Sequence, residues 1–236
     1  MFLNSYYSSV DGHIRITAQQ ASRFAKQVAG DFNPIHDPDA KRFCVPGDLL
    51  FSLVLAEYGL SQRMRFTFSG MVGHGVNLKF AETSNDNFDI GDDAGKTYLH
   101  IERHGAVSRD ETLIEAFTRS YVAFSGHNFP HILVPLMAER NVMINAERPL
   151  VIYESMSFDL NHLDFTNPAL ELTEATLDEN GKRGDAQIHF RVKAGMETVG
   201  MGYKKLVLSG LREYDHDKLQ ELSEKYAQWK SAYQHS

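Results

Sequence analysis

The sequence holds a single cysteine, Cys44, among 236 residues. One cysteine makes no disulfide within the chain and supplies no thiolate set for a zinc cluster. Basic charge is also short: 24 Lys and Arg stand against 31 Asp and Glu, a formal net charge of −7. That balance argues against a general nucleic-acid binder, which shows a basic stripe, and more weakly against an anionic membrane surface. No run of about 18 apolar residues occurs, so no membrane-spanning helix is expected. The opening segment, Met1 to His13, has no basic stretch leading into an apolar one, so no secretory signal is expected and the expected location is the cytoplasm. No low-complexity tract appears. What remains is 42% hydrophobic residues, enough for a real core and too many for a disordered chain.

The apolar residues are arranged in an order that repeats. His13 to Thr17 alternates like a short strand. Thr17 and Gln20 have capping-box spacing, and Ala18, Ala21, Phe24, Ala25 and Val28 follow at helical intervals up to a stop at Gly30. From Leu49 to Ala56 every residue except Ser52 is apolar. A helix hydrophobic all round is a buried one, and Pro46, Gly47 and Asp48 suit its start. Strands are predicted over Met71 to Ala81, Thr97 to His104 and Thr112 to Phe124, separated by turn material. A second mostly apolar helix is predicted over Phe129 to Ile144. Strands follow over Leu150 to Leu160, Ala169 to Leu177, Gln187 to Val192 and Thr198 to Leu208. The last element, about Asp215 to Tyr233, carries Leu219, Leu222, Tyr226, Trp229 and Tyr233 on one stripe. Buried helix plus antiparallel strands, twice over, predicts an α+β double hot-dog: two antiparallel sheets, each wrapping a buried helix, with a C-terminal amphipathic helix. The expected units are 1–128, 129–212 and 213–236. Pairing the halves would cover a sheet edge that either alone leaves open.

The segment that carries chemistry is Gly30-Asp31-Phe32-Asn33-Pro34-Ile35-His36. An acid and a histidine lie five residues apart across an Asn-Pro turn, which brings two groups of different pKa together. Asn33 can hold such a loop by bonding nearby backbone, and Pro34 stiffens it. This run resembles the Asp-x-Asn-Pro-x-His signature of MaoC-like hot-dog proteins, the (R)-specific enoyl-CoA hydratases. The likeness is closest over about Thr17 to Tyr58 and looser to about Gly126, and the remainder resembles a degenerate second half. The whole chain also resembles an uncharacterised proteobacterial family. The hydratase resemblance implies that Asp31 and His36 activate a water for addition to C3 of a trans-2-enoyl-CoA, while C2 receives a proton. It implies that Asn33 supports the loop and that the Gly47 N–H binds the thioester carbonyl as negative charge develops there. No cofactor or metal is expected beyond the CoA thioester or acyl-carrier substrate itself. The expected partners are that small molecule and, as an open question, a second copy in a homodimer.

Other residues admit other readings. Pro46-Gly47-Asp48 departs from the His-Gly of hydratases. An inward Asp48 would oppose an oxyanion site, whereas Asp48 as a solvent-facing N-cap would not. Asp48 or Glu57 could instead serve a thioesterase, and a non-catalytic acyl-thioester-binding protein is a third possibility. Cys44 reads as a packed thiol, and the Asp86, Asp89, Asp92 and Asp93 loop as solvated. His127 and His131 are separated by Pro130, which spoils helical metal spacing. Arg63, Arg65 and Lys79 are candidates for CoA phosphate contacts.

Overall fold

The structure, a computed structural model, describes residues 2–146 and 150–234. Met1, Glu147, Arg148, Pro149, His235 and Ser236, which fall inside the expected units, lie outside the described residues. The first stretch runs β1 (Ser8–Val10), β2 (His13–Arg15), α1 (Ala18–Phe24), α2 (Gly47–Tyr58), β3 (Leu60–Phe68), β4 (Asn77–Leu78), β5 (Asn87–Gly91) and β6 (Thr97–Ser108). The second runs α3 (Glu111–Gly126), α4 (Val134–Glu139), β7 (Val142–Met143), β8 (Val151–Leu160), β9 (Pro168–Asn180), β10 (Arg183–Ala194), β11 (Glu197–Ser209), β12 (Arg212–Glu213) and α5 (His216–Gln234).

Seven strands form one antiparallel sheet in the order β5-β6-β3-β8-β11-β10-β9. The two expected sheets are thus joined edge to edge, with Phe66 opposite Met156 at the β3–β8 seam. Alternation decides which face is covered. Met64 and Phe66 of β3 are buried, while Arg63 and Arg65 point to solvent. The covered face holds two helices. Nine of the twelve residues of α2 are buried, including Leu49, Phe51, Val54 and Leu55. Burying such side chains stabilises by about 1.5–3 kcal/mol each. Helix α3 lies against α2, and the Tyr121 ring sits 4.6 Å from that of Phe51. This is the hot-dog plan, present twice in a single sheet. No helix among the described residues is long and apolar enough to cross a membrane.

Three expectations are corrected. Thr112 to Phe124 is the helix α3, not a strand. Asp110 caps it by accepting from the Thr112 N–H at 2.8 Å, and Leu113, Phe117 and Tyr121 are buried one turn apart. This makes α3 the second buried helix, whereas Phe129 to Ile144 divides into a π-helical turn (Phe129–Leu133), α4 and β7. Only Asn77 and Leu78 are strand within Met71 to Ala81. Strands β1, β3, β5 and β12 went unforeseen, with β3 directly after Gly59 and β5 inside the acidic loop. The capping box of α1, strands β8 to β11 and helix α5 lie where the sequence places them, within a few residues.

Candidate functional site

The loop that carries Asp31 and His36 leaves the end of a helix at Gly30, whose φ of 66° is the left-handed stop that glycine accommodates. Local bonds then fix it. Asp31 Oδ1 accepts from the Asn33 N–H at 2.8 Å, and Asn33 Oδ1 accepts from the Ile35 N–H at 3.2 Å, capping the short turn Pro34–His36. The imidazole of His36 is held by Nδ1, which donates to the Cys44 carbonyl at 2.7 Å. Nε2 is therefore turned toward Asp31 Oδ2, 3.6 Å away. That gap is too long for a good direct hydrogen bond and is one a water can bridge.

Burial works against charge on both groups, and each partner more than offsets it for the other. Asp31 is held below the usual carboxylate range: burial pushes it up, but the His36 ring, the Asn33 N–H and the charge of Lys204 outweigh that. His36 is held above its ordinary value: burial pushes it down, but the Asp31 carboxylate and the Cys44 carbonyl outweigh that. Both shifts favour a carboxylate beside an imidazolium, so His36 has to give up a proton before its Nε2 can accept one.

The pair opens on a cavity of about 350 Å³. One end is polar, with Asp31, His36, Asp48, Ser125 and Lys204. The rest of the wall is mostly apolar, with Phe68, Met71, Leu133, Val151, Leu206 and Trp229 among its residues. The amino end of α2 borders the cavity at Gly47. The first N–H groups of a helix have no carbonyl within it to bond, so this end carries free donors and partial positive charge. Gly47 is also required by space. A Cβ there would come within 2.8 Å of a Tyr153 ring carbon and 3.1 Å of one of Phe68.

Helix α5 lines the cavity through Leu222, Tyr226 and Trp229. The Tyr226 hydroxyl accepts from the buried Phe32 N–H at 2.9 Å and donates to Asp31 Oδ1 at 3.3 Å. Its ring packs against Phe129 and Phe32, with centroids 5.4 and 6.0 Å apart.

A family model described as a protein of unknown function, DUF3581, matches residues 1–217. The chain belongs to the DUF3581 family. A search of curated proteins gives no match. Among solved structures, a tesB protein from Mycobacterium avium subspecies paratuberculosis superposes with a TM-score of 0.47 at 9% identity, over 87% of this chain and 96% of that one. An acyl-CoA thioesterase II, TesB2, from Mycobacterium marinum gives 0.40 at 9% identity, over 92% and 99%. A MaoC-like dehydratase gives 0.41 at 8% identity, over 85% and 97%. Likeness at this level says nothing of chemistry.

In this DUF3581 chain Asp31, Asn33, His36 and Gly47 all line one cavity. Asp48 is not the solvent-facing N-cap that its sequence position suggested. Pro46 holds the cap position, and Asp48 is buried, with Oδ2 accepting from Ser125 Oγ at 2.6 Å. Burial pushes its carboxyl above the usual range, against the pull of Lys204 and Ser125. Glu57 is exposed at the far end of α2. Cys44 lines the cavity, but burial pushes its thiol up to about 11, which keeps it protonated. Arg63 and Arg65 lie on the sheet's outer face, Arg63 toward Asp159 at 3.7 Å, and Lys79 pairs with Asp93 at 2.7 Å. None of these three reaches the cavity. Among the described residues no three His, Cys, Asp or Glu converge as a metal site. Sequence reasoning missed Ser125, Lys204 and the Tyr226 hydroxyl. The available signal for Lys204 was its phase: it alternates with Leu206 and Leu208 along β11, on the row that faces the core.

Proposed function

We propose that the cavity takes an acyl thioester and that Asp31 and His36 activate a water for addition to a trans-2-enoyl chain. The single observation that carries the reading is the convergence of Asp31, His36 and the amino end of α2 on one cavity with a mostly apolar wall. In its neutral form His36 keeps a proton on Nδ1, bound to the Cys44 carbonyl, and offers the Nε2 lone pair to the water. The water oxygen bonds to C3, the π electrons move through C2 to the thioester oxygen, and Nε2 takes the water's proton. The enolate charge forms on an oxygen set at the α2 N–H groups. The Asp31–His36 pair then returns a proton to C2, so the net change is H and OH across the double bond. The apolar wall suits an acyl chain, and the polar end suits its activated head.

The test is hydration of short and medium trans-2-enoyl-CoA by the purified protein, read by loss of the enoyl absorbance and by the mass of the 3-hydroxyacyl product. His36→Ala is expected to lower the rate by about 10²–10⁴-fold, the usual worth of a positioned general base. Wild-type turnover equal to that of His36→Ala would sink the reading.

A second reading, thioester hydrolysis with Asp48 as the acid beside a water, is favoured by one observation: Asp48 is buried at the same cavity, beside Ser125. Release of free thiol from saturated acyl-CoA separates the two. Its absence across chain lengths removes this alternative.

A further inference from the structure

The motif loop leaves one feature of the cavity unexplained. Lys204 sits on β11 with 2% of its surface exposed. Its row faces the core, and Leu206 and Leu208 on the same row are apolar and buried. A lysine there is costly unless its charge is matched, so packing alone gives no reason for it. Its surroundings do. Nζ donates to Ser125 Oγ, and Ser125 Oγ donates in turn to Asp48 Oδ2 at 2.6 Å. The Tyr153 ring lies 4.1 Å from Nζ, an arrangement that favours a cation. The chain Lys204–Ser125–Asp48 joins β11, the end of α3 and the start of α2 across the cavity's polar end.

Asp48 directly follows Gly47, the residue whose N–H would receive the thioester oxygen. A lone carboxylate at that point opposes negative charge developing on the oxygen. Matched with Lys204, the two side chains sum to zero charge whether the shared proton rests on the amine or on the carboxyl. We propose that Lys204, acting through Ser125, neutralises Asp48 and so keeps the amino end of α2 able to hold the enolate. Lys204 and Ser125 are then positioning residues of the site, and the inference rests on the thioester reading given above. The other titratable groups facing Asp48 are Asp31 and His36 from the motif loop, Tyr121 from α3 and Tyr153 from β8. The two tyrosines share a hydrogen bond through their hydroxyls. Burial and the charge of Asp48 push both phenols well above their ordinary range, so neither contributes charge.

The experiment compares wild type, Lys204→Met and Lys204→Met/Asp48→Asn in enoyl-CoA hydration across pH. In Lys204→Met the buried Asp48 stays protonated at low pH and ionises as pH rises. The ratio of its kcat to that of wild type is expected to fall with pH, to about one tenth or less, as for loss of an oxyanion contact, while KM moves little. The double variant carries no charge at either position, so its ratio is expected to recover and to lose the pH dependence. If Lys204→Met does not fold, Ser125→Ala carries the test, since it cuts the link and keeps both ends. Its kcat is expected to fall and Asp48→Asn to restore it. An active wild type in which Asp48→Asn restores nothing, or in which the variant's ratio is flat with pH, overturns this inference and leaves the hydratase reading standing. A wild type inactive on every thioester overturns both.

Discussion

Tyr226→Phe removes one oxygen atom and tests whether α5 belongs to the site. In the structure that oxygen accepts one hydrogen bond and aims its own proton at Asp31, with the Gly30 carbonyl 3.5 Å away. The accepted bond, from the Phe32 N–H, is buried and 2.9 Å long, and Asp31 Oδ1 lies at 3.3 Å. The phenylalanine ring still fills the space between Phe32 and Phe129, so the packing stays and only polar pairing is lost. A buried N–H left without an acceptor costs about 1–3 kcal/mol. For a chain of this size each kcal/mol lowers Tm by about 2–4 °C. The expected loss is therefore about 2–12 °C, checked by thermal and urea unfolding. Tyr214→Phe is the control. The Tyr214 hydroxyl bonds an exposed His216 nitrogen at 3.2 Å, so removing it is expected to cost within about 0.5 kcal/mol. Hydration should also fall in Tyr226→Phe, because the Asp31 carboxylate loses one of the groups that fixes its direction. Equal stability of the two variants would refute the claim that α5 is tied into the motif loop. Normal stability loss with unchanged turnover would separate the helix's structural role from its part in the site.

Two further outcomes follow from the geometry. Gly47→Ala places a Cβ 2.8 Å from the Tyr153 ring and 3.1 Å from that of Phe68; overpacking of this kind costs about 1–3 kcal/mol, and unfolding curves should show it together with lost turnover, whereas a stable, active variant would mean that the amino end of α2 has slack. The pH dependence of hydration should rise as His36 loses its proton, at a pH above the ordinary 6.5 because Asp31 holds the imidazolium. Asp31→Asn removes that hold and leaves burial to push His36 down, so the rising limb should move to lower pH with a reduced plateau, and a limb that stays in place would refute the pairing. The signs for stability run the same way. The raised His36 stabilises below about 6.5 and loses this as pH rises through its folded value, while the lowered Asp31 stabilises above about 3.9 and loses this as pH falls. The stability gap between wild type and Asp31→Asn should therefore be widest between about pH 4 and 6.5.

How much of this was legible in the chain depends on how local each signal is. Thr17 and Gln20 sit three residues apart and bond each other's backbone, so the start of α1 was readable from four residues. The α5 stripe and the alternation of β8 to β11 are likewise local patterns. Helix α3 was misread because Thr112, Thr118, Tyr121, Val122 and Phe124 are strand formers by propensity. Burial of its Leu113, Phe117 and Tyr121 face against α2 overrides that preference, and their spacing of four was the better guide. The Asp31–His36 loop was readable because its bonds span two to eight residues. The other half of the site was not, because its contacts cross 77 residues from Ser125 to Asp48 and 79 from Lys204 to Ser125. Asp31, Asn33, His36 and Gly47 all fall within 1–128, and the fold adds Lys204 of β11 and Tyr226 of α5 to the cavity they line.

The charge balance of the cavity explains why these distant segments belong together. Two carboxylates, Asp31 and Asp48, face one imidazole and one amine, His36 and Lys204. Any of the four alone in an apolar surrounding would shift its pKa until it was neutral. Together Asp31 and His36 hold their charges, while burial pushes Asp48 up and Lys204 down against their mutual attraction, so that pair, linked through Ser125, sums to zero charge beside the cavity. The pairs do not come from one stretch of chain. Asp31 and His36 share a loop, whereas Asp48 is matched only when the seam between β3 and β8 brings the second half's β11 over the start of α2. The first half carrying the motif would therefore hold Asp48 buried and unmatched at the point where the proposed hydration would form its oxyanion. The second half lacks the motif, yet it supplies the cation that makes the first half's site electrically tolerable. A seven-stranded sheet continuous through that seam is thus a requirement of the chemistry proposed here as well as a solution to an open sheet edge.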